Sequence, residues 1–177
     1  MDELQQPEPA ESLNDFLWKV HSYTNDYIKL ADTKAAFVAA STAGIIGAAM
    51  STSMFDSILR SAPSSWSFLQ WAAALGLLLL GVSFVMSIWV LWPRRWKSKH
   101  PGFIYWEAVI EHGDAKSFSA AIRSQTDSAL TTSISNHVFV LAMIADRKYK
   151  LVGKAVETGV LGGVVTAVVI FAFKGLR

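Results

Sequence analysis

The stretch ADTKAAFVAASTAGIIGAAM, residues 31–50, decides the fold of this chain. It opens with two charged residues, Asp32 and Lys34, and the chain then carries no charge from Ala35 to Phe55. As an α-helix those 21 residues cover about 32 Å, which is enough to cross the hydrocarbon core of a bilayer. The sequence therefore predicts a transmembrane helix over residues 35–55 with two charges at its entrance.

The composition of the whole chain indicates a membrane protein. Of its 177 residues, 52% are hydrophobic and only 17% are charged, and the apolar residues are gathered into long runs. Two later runs predict transmembrane helices over residues 67–92 and 155–173. The absence of cysteine excludes disulfide bonds and cysteine-based metal sites. We therefore predict an all-α membrane protein with three transmembrane helices.

An amphipathic helix is predicted to precede the first span. Ser12, with Asp15 three residues later, is typical of a helix N-cap, and residues 1–11 are expected to form a disordered lead. Nothing in the sequence interrupts the helix before about Ser53, so residues 12–34 and the first span should form one nearly continuous helix. Its apolar residues recur at heptad spacing and predict a seam buried against another helix. This seam consists of Leu13, Phe16, Val20, Tyr23, Tyr27 and Leu30.

Small residues line one face of the first and third spans. Ala40, Gly44 and Ala48 recur every four residues in the first span, and Gly159 and Gly163 have the same spacing in the third. Such faces allow two helix backbones to approach closely in a membrane. We expect them to pack helices together, either within one chain or between the subunits of a homo-oligomer.

The basic residues predict the orientation of the chain in the membrane. The second span ends at Pro93, and RRWKSK follows at once; residues 93–154 carry ten Lys and Arg, against one in residues 56–66. Basic residues that flank a span stay in the cytoplasm. We therefore expect a cytoplasmic N-terminus, an outward-facing loop at residues 56–66, a cytoplasmic domain at residues 93–154 and an outward-facing tail at residues 174–177.

The cytoplasmic domain is expected to be helical. Residues 103–111, FIYWEAVIE, are predicted to form a short aromatic helix or strand that ends near Gly113. From Ala115 there is no proline, and no glycine until Gly153, so a long helix should run toward the third span. Together with the helix at residues 12–34, this domain should form a small helical module. A stripe that matches the N-terminal helix is predicted at Phe118, Ile122, Leu130, Ile134, Leu141, Ile144 and Leu151.

Enzyme motifs are missing from the sequence. It has no phosphate-binding glycine loop followed by Lys-Ser/Thr, no GxSxG and no HExxH. His112 lies in EHGD, which is more typical of a solvated turn than of a metal site, and His137 is expected to be an interfacial or core histidine. We therefore predict a protein without catalytic activity, metal or cofactor.

Basic residues gather beside the membrane and have two possible roles. Lys148 and Lys150 crowd the turns before the third span, at the expected depth of Asp32 and Lys34, with Tyr105 in the same domain. One interpretation is that they set the topology and attract anionic lipid headgroups. The other is a site for a ligand that carries a phosphate and a stacking base, because cations beside aromatic rings suit such a ligand. No feature of the sequence indicates nucleic-acid binding.

Three segments resemble the Pycsar effector transmembrane family. They are Asn25-x-Tyr27 leading into ADTKAA, GFIYWEAV after the second span, and ISNHVFVLAMIADRKYKLVGKAV late in the chain. The resemblance runs from about Leu13 to Phe173. It implies a bacterial inner-membrane protein in antiphage defence that works with a nucleotide cyclase encoded nearby, so the outward-facing loop and tail would be periplasmic. The ligand-binding residues that it implies are Asn25, Asp32, Lys34, Gly102, Tyr105, Lys148 and Lys150.

The resemblance implies a cyclic pyrimidine nucleotide, cyclic CMP or cyclic UMP, as the ligand of the cytoplasmic part. On binding it, the protein would impair the inner membrane and the infected cell would stop supporting phage. Two alternatives remain open from the residues alone. One is a constitutive oligomeric channel or membrane scaffold that is not gated by nucleotide, and the other is a membrane subunit whose partner carries an enzyme's active site.

Overall fold

The structure, a computed structural model, describes residues 12–92 and 103–175, and regular structure in these ranges is helical. Its helices are α1 (Leu13–Met50), α2 (Ser53–Arg60), α3 (Phe68–Leu91), α4 (Trp106–Ile110), α5 (Ala115–Arg123) and α6 (Asp127–Gly175), with a 3-10 turn at Pro63–Ser65. Helices α1, α3 and α6 are long and apolar enough to cross a membrane. The predicted all-α fold with three transmembrane helices is confirmed. The lead at residues 1–11, the basic run after the second span, Gly102 and residues 176–177 lie outside the described ranges.

Two compact units make up the chain. The polar unit comprises Met1–Tyr27 and Arg95–Ala145, and the span unit comprises Ile28–Arg94 and Asp146–Arg177. Helices α1 and α6 each supply residues to both units, because each is a single unbroken helix. Ser12 caps α1 as predicted: its hydroxyl accepts a hydrogen bond from the Asp15 N–H (3.1 Å) and donates one to the Asp15 carboxylate (2.6 Å).

The core of the span unit is built from stripes of small residues at heptad spacing. The buried residues of α3 are Ala73, Gly76, Leu80, Ser83, Ser87 and Val90. On α6 the buried stripe is Val152, Ala155, Gly159, Gly162, Thr166 and Val169. Both stripes alternate steps of three and four residues, so each keeps one face turned toward its neighbour. Because most of these side chains are small, the helix backbones lie close together.

Two glycines mark the closest approach between α3 and α6. A Cβ atom added at Gly162 would lie 2.9 Å from the Leu80 nitrogen and 3.0 Å from the Gly76 oxygen. One added at Gly76 would lie 2.6 Å from the Thr166 hydroxyl. Real Cβ contacts are longer than this, so both positions require glycine for the backbones to meet.

Hydroxyl groups are buried inside the span unit and most are paired. Ser83 donates a 2.6 Å hydrogen bond to the Ala155 carbonyl and so links α3 to α6. Ser87 bonds to the Ser83 carbonyl at 2.9 Å, and Thr42 bonds to the Val38 carbonyl at 2.8 Å. Pairing of this kind removes the cost of placing a hydroxyl in hydrocarbon, so these polar side chains can be buried between the helices.

The residues predicted for span packing divide into two groups. Gly159 is buried, and a Cβ atom there would lie 2.7 Å from the Ser83 hydroxyl, while Gly163 is half-buried near Ile45. The first-span residues Ala40, Gly44 and Ala48 are exposed, and nothing lies within 4 Å of a Cβ atom built at Gly44. Helix α1 instead buries a neighbouring stripe within its own unit, at Ala31, Ala35, Ala39, Thr42 and Ala49.

The loop predicted at residues 56–66 contains a helix. Helix α1 ends at Met50, earlier than the predicted end of the span, and α2 follows within the segment that the composition marked as polar. Phe55 and Ile58 lie on one face of α2 and are buried with Ala49, Ala73 and Val169. Burying these two large side chains stabilises an eight-residue helix that would be marginal by itself. The second span agrees with its prediction, and Ser67 and Gln70 form a capping box at the start of α3.

The heptad seam predicted on the N-terminal helix is not the face that α1 buries. Leu13, Phe16, Tyr23 and Tyr27 are 63%, 53%, 62% and 42% exposed. Leu30 is also exposed, and Val20 is half-buried. In the polar unit, α1 buries Thr24 and half-buries Leu17 and His21, a stripe displaced around the helix from the seam. The predicted burial of this seam is therefore wrong for the single chain, which buries a different stripe of α1.

Helices α4, α5 and the first part of α6 complete the polar unit. Within the FIYWEAVIE segment, Trp106–Ile110 forms α4, and Gly113, with φ of 80°, lies in the turn that follows it. The predicted long helix is interrupted between α5 and α6, where Thr126 accepts a hydrogen bond from the Ala129 N–H at 3.2 Å. Short polar side chains there compete for backbone groups, which breaks the helix without glycine or proline. The apolar stripe that was predicted to face α1 is buried or half-buried throughout.

Candidate functional site

In the span unit, an ion pair joins α1 to α6. The Lys148 ammonium donates a hydrogen bond to the Asp32 carboxylate, and both side chains are partly exposed. Asp32 lies just before the uncharged part of α1, so the pair stands where the span begins. A charge-assisted contact here fixes the register of the two helices.

Lys34 lies on a different side of α1 and contacts an aromatic ring. Its ammonium nitrogen is 5.3 Å from the centroid of the Tyr149 ring, within the range of a cation–π interaction. Lys34 is exposed and Tyr149 is half-buried. Asp32 and Lys34 of α1 therefore contact consecutive residues of α6, Lys148 and Tyr149.

The last predicted basic residue faces away from this group. Lys150 donates a 2.7 Å hydrogen bond to Asp146, one turn earlier on the same helix, and both side chains are largely exposed. Exposed ion pairs between neighbouring turns contribute little, about 0.3–0.5 kcal/mol. Lys150 thus has a local partner on α6, whereas Lys148 reaches across to α1.

A stack of aromatic and imidazole rings stands at the centre of the polar unit. The rings of His21 and His137 are stacked, with centroids 5.2 Å apart, and Trp18 packs edge-on against His21, also at 5.2 Å. Tyr105 lies 6.4 Å from the His137 ring. The Asn25 amide nitrogen is 3.3 Å from the His21 ring nitrogens. Two of the predicted ligand residues, Asn25 and Tyr105, thus meet at a histidine pair.

Burial and the neighbouring His21 favour the neutral form of His137. Burial lowers the pKa of His137, and the neighbouring His21 lowers it further, because two imidazolium rings in stacking contact would repel each other. A neutral imidazole offers one ring nitrogen as a donor and the other as an acceptor. The neutral form of His137 can therefore donate a hydrogen bond from one ring nitrogen and accept one at the other.

A cleft of about 370 Å³ opens in the polar unit. Its walls are Trp18, Phe103, Ile104, Ile122, Leu130, Ser133 and Ile134. It is mostly apolar, and Trp18 is shared between this cleft and the histidine stack. A flat apolar cleft with an indole on its wall is suited to a planar ring.

The six predicted ligand residues that the structure describes fall into two groups, one in each unit. Asn25 and Tyr105 belong to the polar unit, and Asp32, Lys34, Lys148 and Lys150 belong to the span unit. The sequence reasoning missed Trp18, His21 and Tyr149 and gave His137 only a structural role. Tyr149 directly follows Lys148 in the sequence, but the neighbours of these rings could not be deduced from spacing.

Comparison with known proteins identifies the family. The profile of the Pycsar effector protein domain matches residues 16–174. The chain belongs to the Pycsar effector protein family. It is also similar to the Pycsar effector protein SaPycTM of Staphylococcus aureus, at 23% identity over 145 residues, which cover 81% of this chain and 86% of that protein. No solved structure matches the chain.

Membership of the Pycsar effector family agrees with the resemblance seen in the sequence, and both groups of residues lie inside the region that the family profile matches. The family match begins at Phe16 and ends at Lys174, so it spans the three long helices and the described part of the polar unit. The arrangement is therefore that of a Pycsar effector with three helices able to cross a membrane, an imidazole–aromatic stack and a cation–aromatic cluster.

Proposed function

We propose that this protein is an antiphage membrane effector that senses a cyclic pyrimidine nucleotide in the cytoplasm and impairs the inner membrane. The observation that carries the proposal is the family match over residues 16–174 in a chain with three helices able to cross a membrane. The chain acts without catalysis and needs no cofactor. Its partners are the lipid bilayer and a nucleotide cyclase encoded nearby.

The chemistry of the two clusters supports a nucleotide ligand. A pyrimidine base is planar and carries donors and acceptors at its edge, which suits the stacked rings of His21 and His137 with Asn25 beside them in the polar unit. In the span unit, the Lys34 and Lys148 ammonium groups supply the positive charge that an anionic ligand needs. Each unit thus contains, by itself, groups with the chemistry of a nucleotide site.

Ligand binding would act through α1 and α6. Each of these helices carries both a cluster residue and a stretch that is able to span the membrane. A ligand shifts a conformational equilibrium only by the difference in its affinity for the two states. Competition between phosphate and Asp32 for Lys148 supplies such a difference, because the ion pair must rearrange when the phosphate binds.

The decisive experiment measures nucleotide binding and membrane potential together. The purified protein in detergent is titrated with cyclic CMP and with cyclic UMP by calorimetry, and cells that carry the protein with a pyrimidine cyclase are followed with a potential-sensitive dye. We expect binding of one nucleotide and depolarisation only with an active cyclase. Absence of both binding and depolarisation would contradict the proposal.

Lys34→Ala is the first variant to test, with Lys154→Ala as its matched control. Both residues are exposed lysines near the start of a span, but only Lys34 lies over an aromatic ring. Loss of a charged hydrogen bond costs about 1.5–3 kcal/mol, so Lys34→Ala should weaken nucleotide affinity roughly tenfold to a hundredfold. Lys154→Ala should leave the affinity within the error of measurement. Activity that is independent of nucleotide, and unchanged in Lys34→Ala, would instead favour a constitutive channel or scaffold.

A further inference from the structure

The heptad face of α1 exposes large apolar side chains to solvent in the single chain. Leu13, Phe16, Tyr23 and Tyr27 lie along one side of the helix in the polar unit, between 42% and 63% exposed. Tyr23 and Tyr27 are held together, with ring centroids 4.7 Å apart and a 3.0 Å hydrogen bond between their hydroxyls. We refer to these four residues as the seam face. Tyrosine pairs of this kind are typical of interfaces, because rigid rings lose little entropy when they are covered.

Lipid is not what covers the seam face. Charged residues are interspersed with it, among them Asp15, Lys19 and Asp26, and the uncharged part of α1 begins only at Ala35. A helix with such a polar composition stays outside the hydrocarbon core. The seam face therefore belongs to a segment that is exposed to water, where apolar surface is costly.

We propose that the seam face pairs with the same face of a second copy of this chain, as two parallel helices. Helix α1 continues without a break into a stretch able to span the membrane, so two copies inserted in the same sense present their α1 helices in parallel. The steps of three and four residues are those of a two-stranded parallel coiled coil. A two-fold axis along the membrane normal makes the two α1 helices parallel and brings their identical seam faces into contact.

The size of the surface suits a reversible dimer. A fully exposed aromatic side chain presents about 150–250 Å², so the four residues at their observed exposures present about 400 Å² per copy and about 800 Å² per pair. Stable interfaces in solution begin near 1,000–1,200 Å². Confinement to one membrane in one orientation raises the effective concentration of the second copy and makes up the difference.

The charges beside the seam face permit this pairing. In a parallel pair, a residue that flanks the seam meets the position about five residues further along the partner helix. Lys19 then lies nearest Thr24 of the second copy and Asp26 nearest Ala31, both of which are uncharged and buried within their own chain. No two like charges are brought together, so electrostatic repulsion does not oppose the dimer.

Single-cysteine cross-linking tests the proposal, because the chain has no cysteine of its own. Phe16→Cys and Tyr23→Cys are made in the full chain in its membrane and oxidised mildly, with Ser22→Cys as the matched control. Ser22 is equally exposed but lies about 100° around the helix from Tyr23. We expect a disulfide-linked band of twice the chain mass with Phe16→Cys and Tyr23→Cys, several-fold stronger than with Ser22→Cys.

The possible results separate cleanly. Equal cross-linking at all three positions, no cross-linking at any of them, or adducts with a protein of another mass would each overturn the proposal. Exposed positions tolerate cysteine, and gel-filtration of the unoxidised variants confirms that each remains folded. The experiment uses no nucleotide and no cyclase, so its outcome is independent of the proposed sensing function.

Discussion

Two charged residues at the start of the first span show what residue-level reasoning could and could not supply. Asp32 and Lys34 are two positions apart, so on a helix they point about 200° away from each other and cannot pair. The structure agrees: Asp32 contacts Lys148, and Lys34 lies over Tyr149. The sequence predicted the importance of both residues, but not their separate partners on α6.

The histidine pair makes the polar unit sensitive to pH. The folded state lowers the pKa of His137, so below the ordinary value of about 6.5 the folded protein holds fewer protons than the unfolded chain. Stability is then complete above about pH 6.5 and is lost as the pH falls from there toward the lowered pKa. We expect faster hydrogen exchange of the α1 amides around His21 at about pH 5.5 than at about pH 7.5, after correction for the intrinsic rate.

His137→Gln is the control for this prediction. Glutamine keeps a polar side chain at the position but cannot be protonated in this range. The variant should lose most of the excess exchange at low pH, because the side chain at position 137 can no longer gain a proton. An unchanged pH dependence in His137→Gln would show that another group is responsible.

At the scale of single helices, the packing of α3 against α6 depends on glycine at defined positions. Gly162→Ala would force a Cβ atom to within 3 Å of the α3 backbone at Leu80 and Gly76. Overpacking of this kind costs about 1–3 kcal/mol. We expect a lower free energy of unfolding for Gly162→Ala in detergent micelles, measured by titration with a denaturing detergent.

Gly153→Ala is the matched control on the same helix. Nothing lies within 4 Å of a Cβ atom built at Gly153. Alanine is a better helix former than glycine by about 0.8–1 kcal/mol, so this variant should be neutral or slightly more stable. Equal destabilisation by both substitutions would mean that helix propensity, not close packing, governs α6.

The same scale explains why α1 buries small residues and exposes larger ones. Ala31, Ala35 and Ala39 are buried in the span unit, and side chains this small let neighbouring helices approach closely. Because α1 is one continuous helix, the angle between its alanine stripe and its aromatic seam is fixed. When the alanine stripe is buried, Phe16 and Tyr23 are therefore left exposed. Apolar periodicity alone favours the aromatic seam over the alanine stripe as the buried face, because it measures hydrophobicity and not how closely two helices can approach.

For the whole molecule, the distribution of Lys and Arg predicts a cytoplasmic N-terminus and an outward-facing C-terminus. A reporter that is active only after export should work when fused after Arg177 and fail when inserted at Gly113, an exposed turn with φ of 80°. A reporter that is active only in the cytoplasm should give the opposite pattern. Export activity at Gly113 would contradict the predicted orientation.

The sequence by itself determined that the chain has three spans, that α1 is continuous from its cap at Ser12 into the first span, and that the chain belongs to the family. These follow from hydropathy, helical period and local hydrogen bonding, which are properties of one segment at a time. The tertiary structure alone decided which stripe of α1 is buried, that α2 forms in a polar stretch, and that His21 meets His137. Each of these depends on the shape and volume of a neighbour distant in sequence, and no pattern within one segment contains that information.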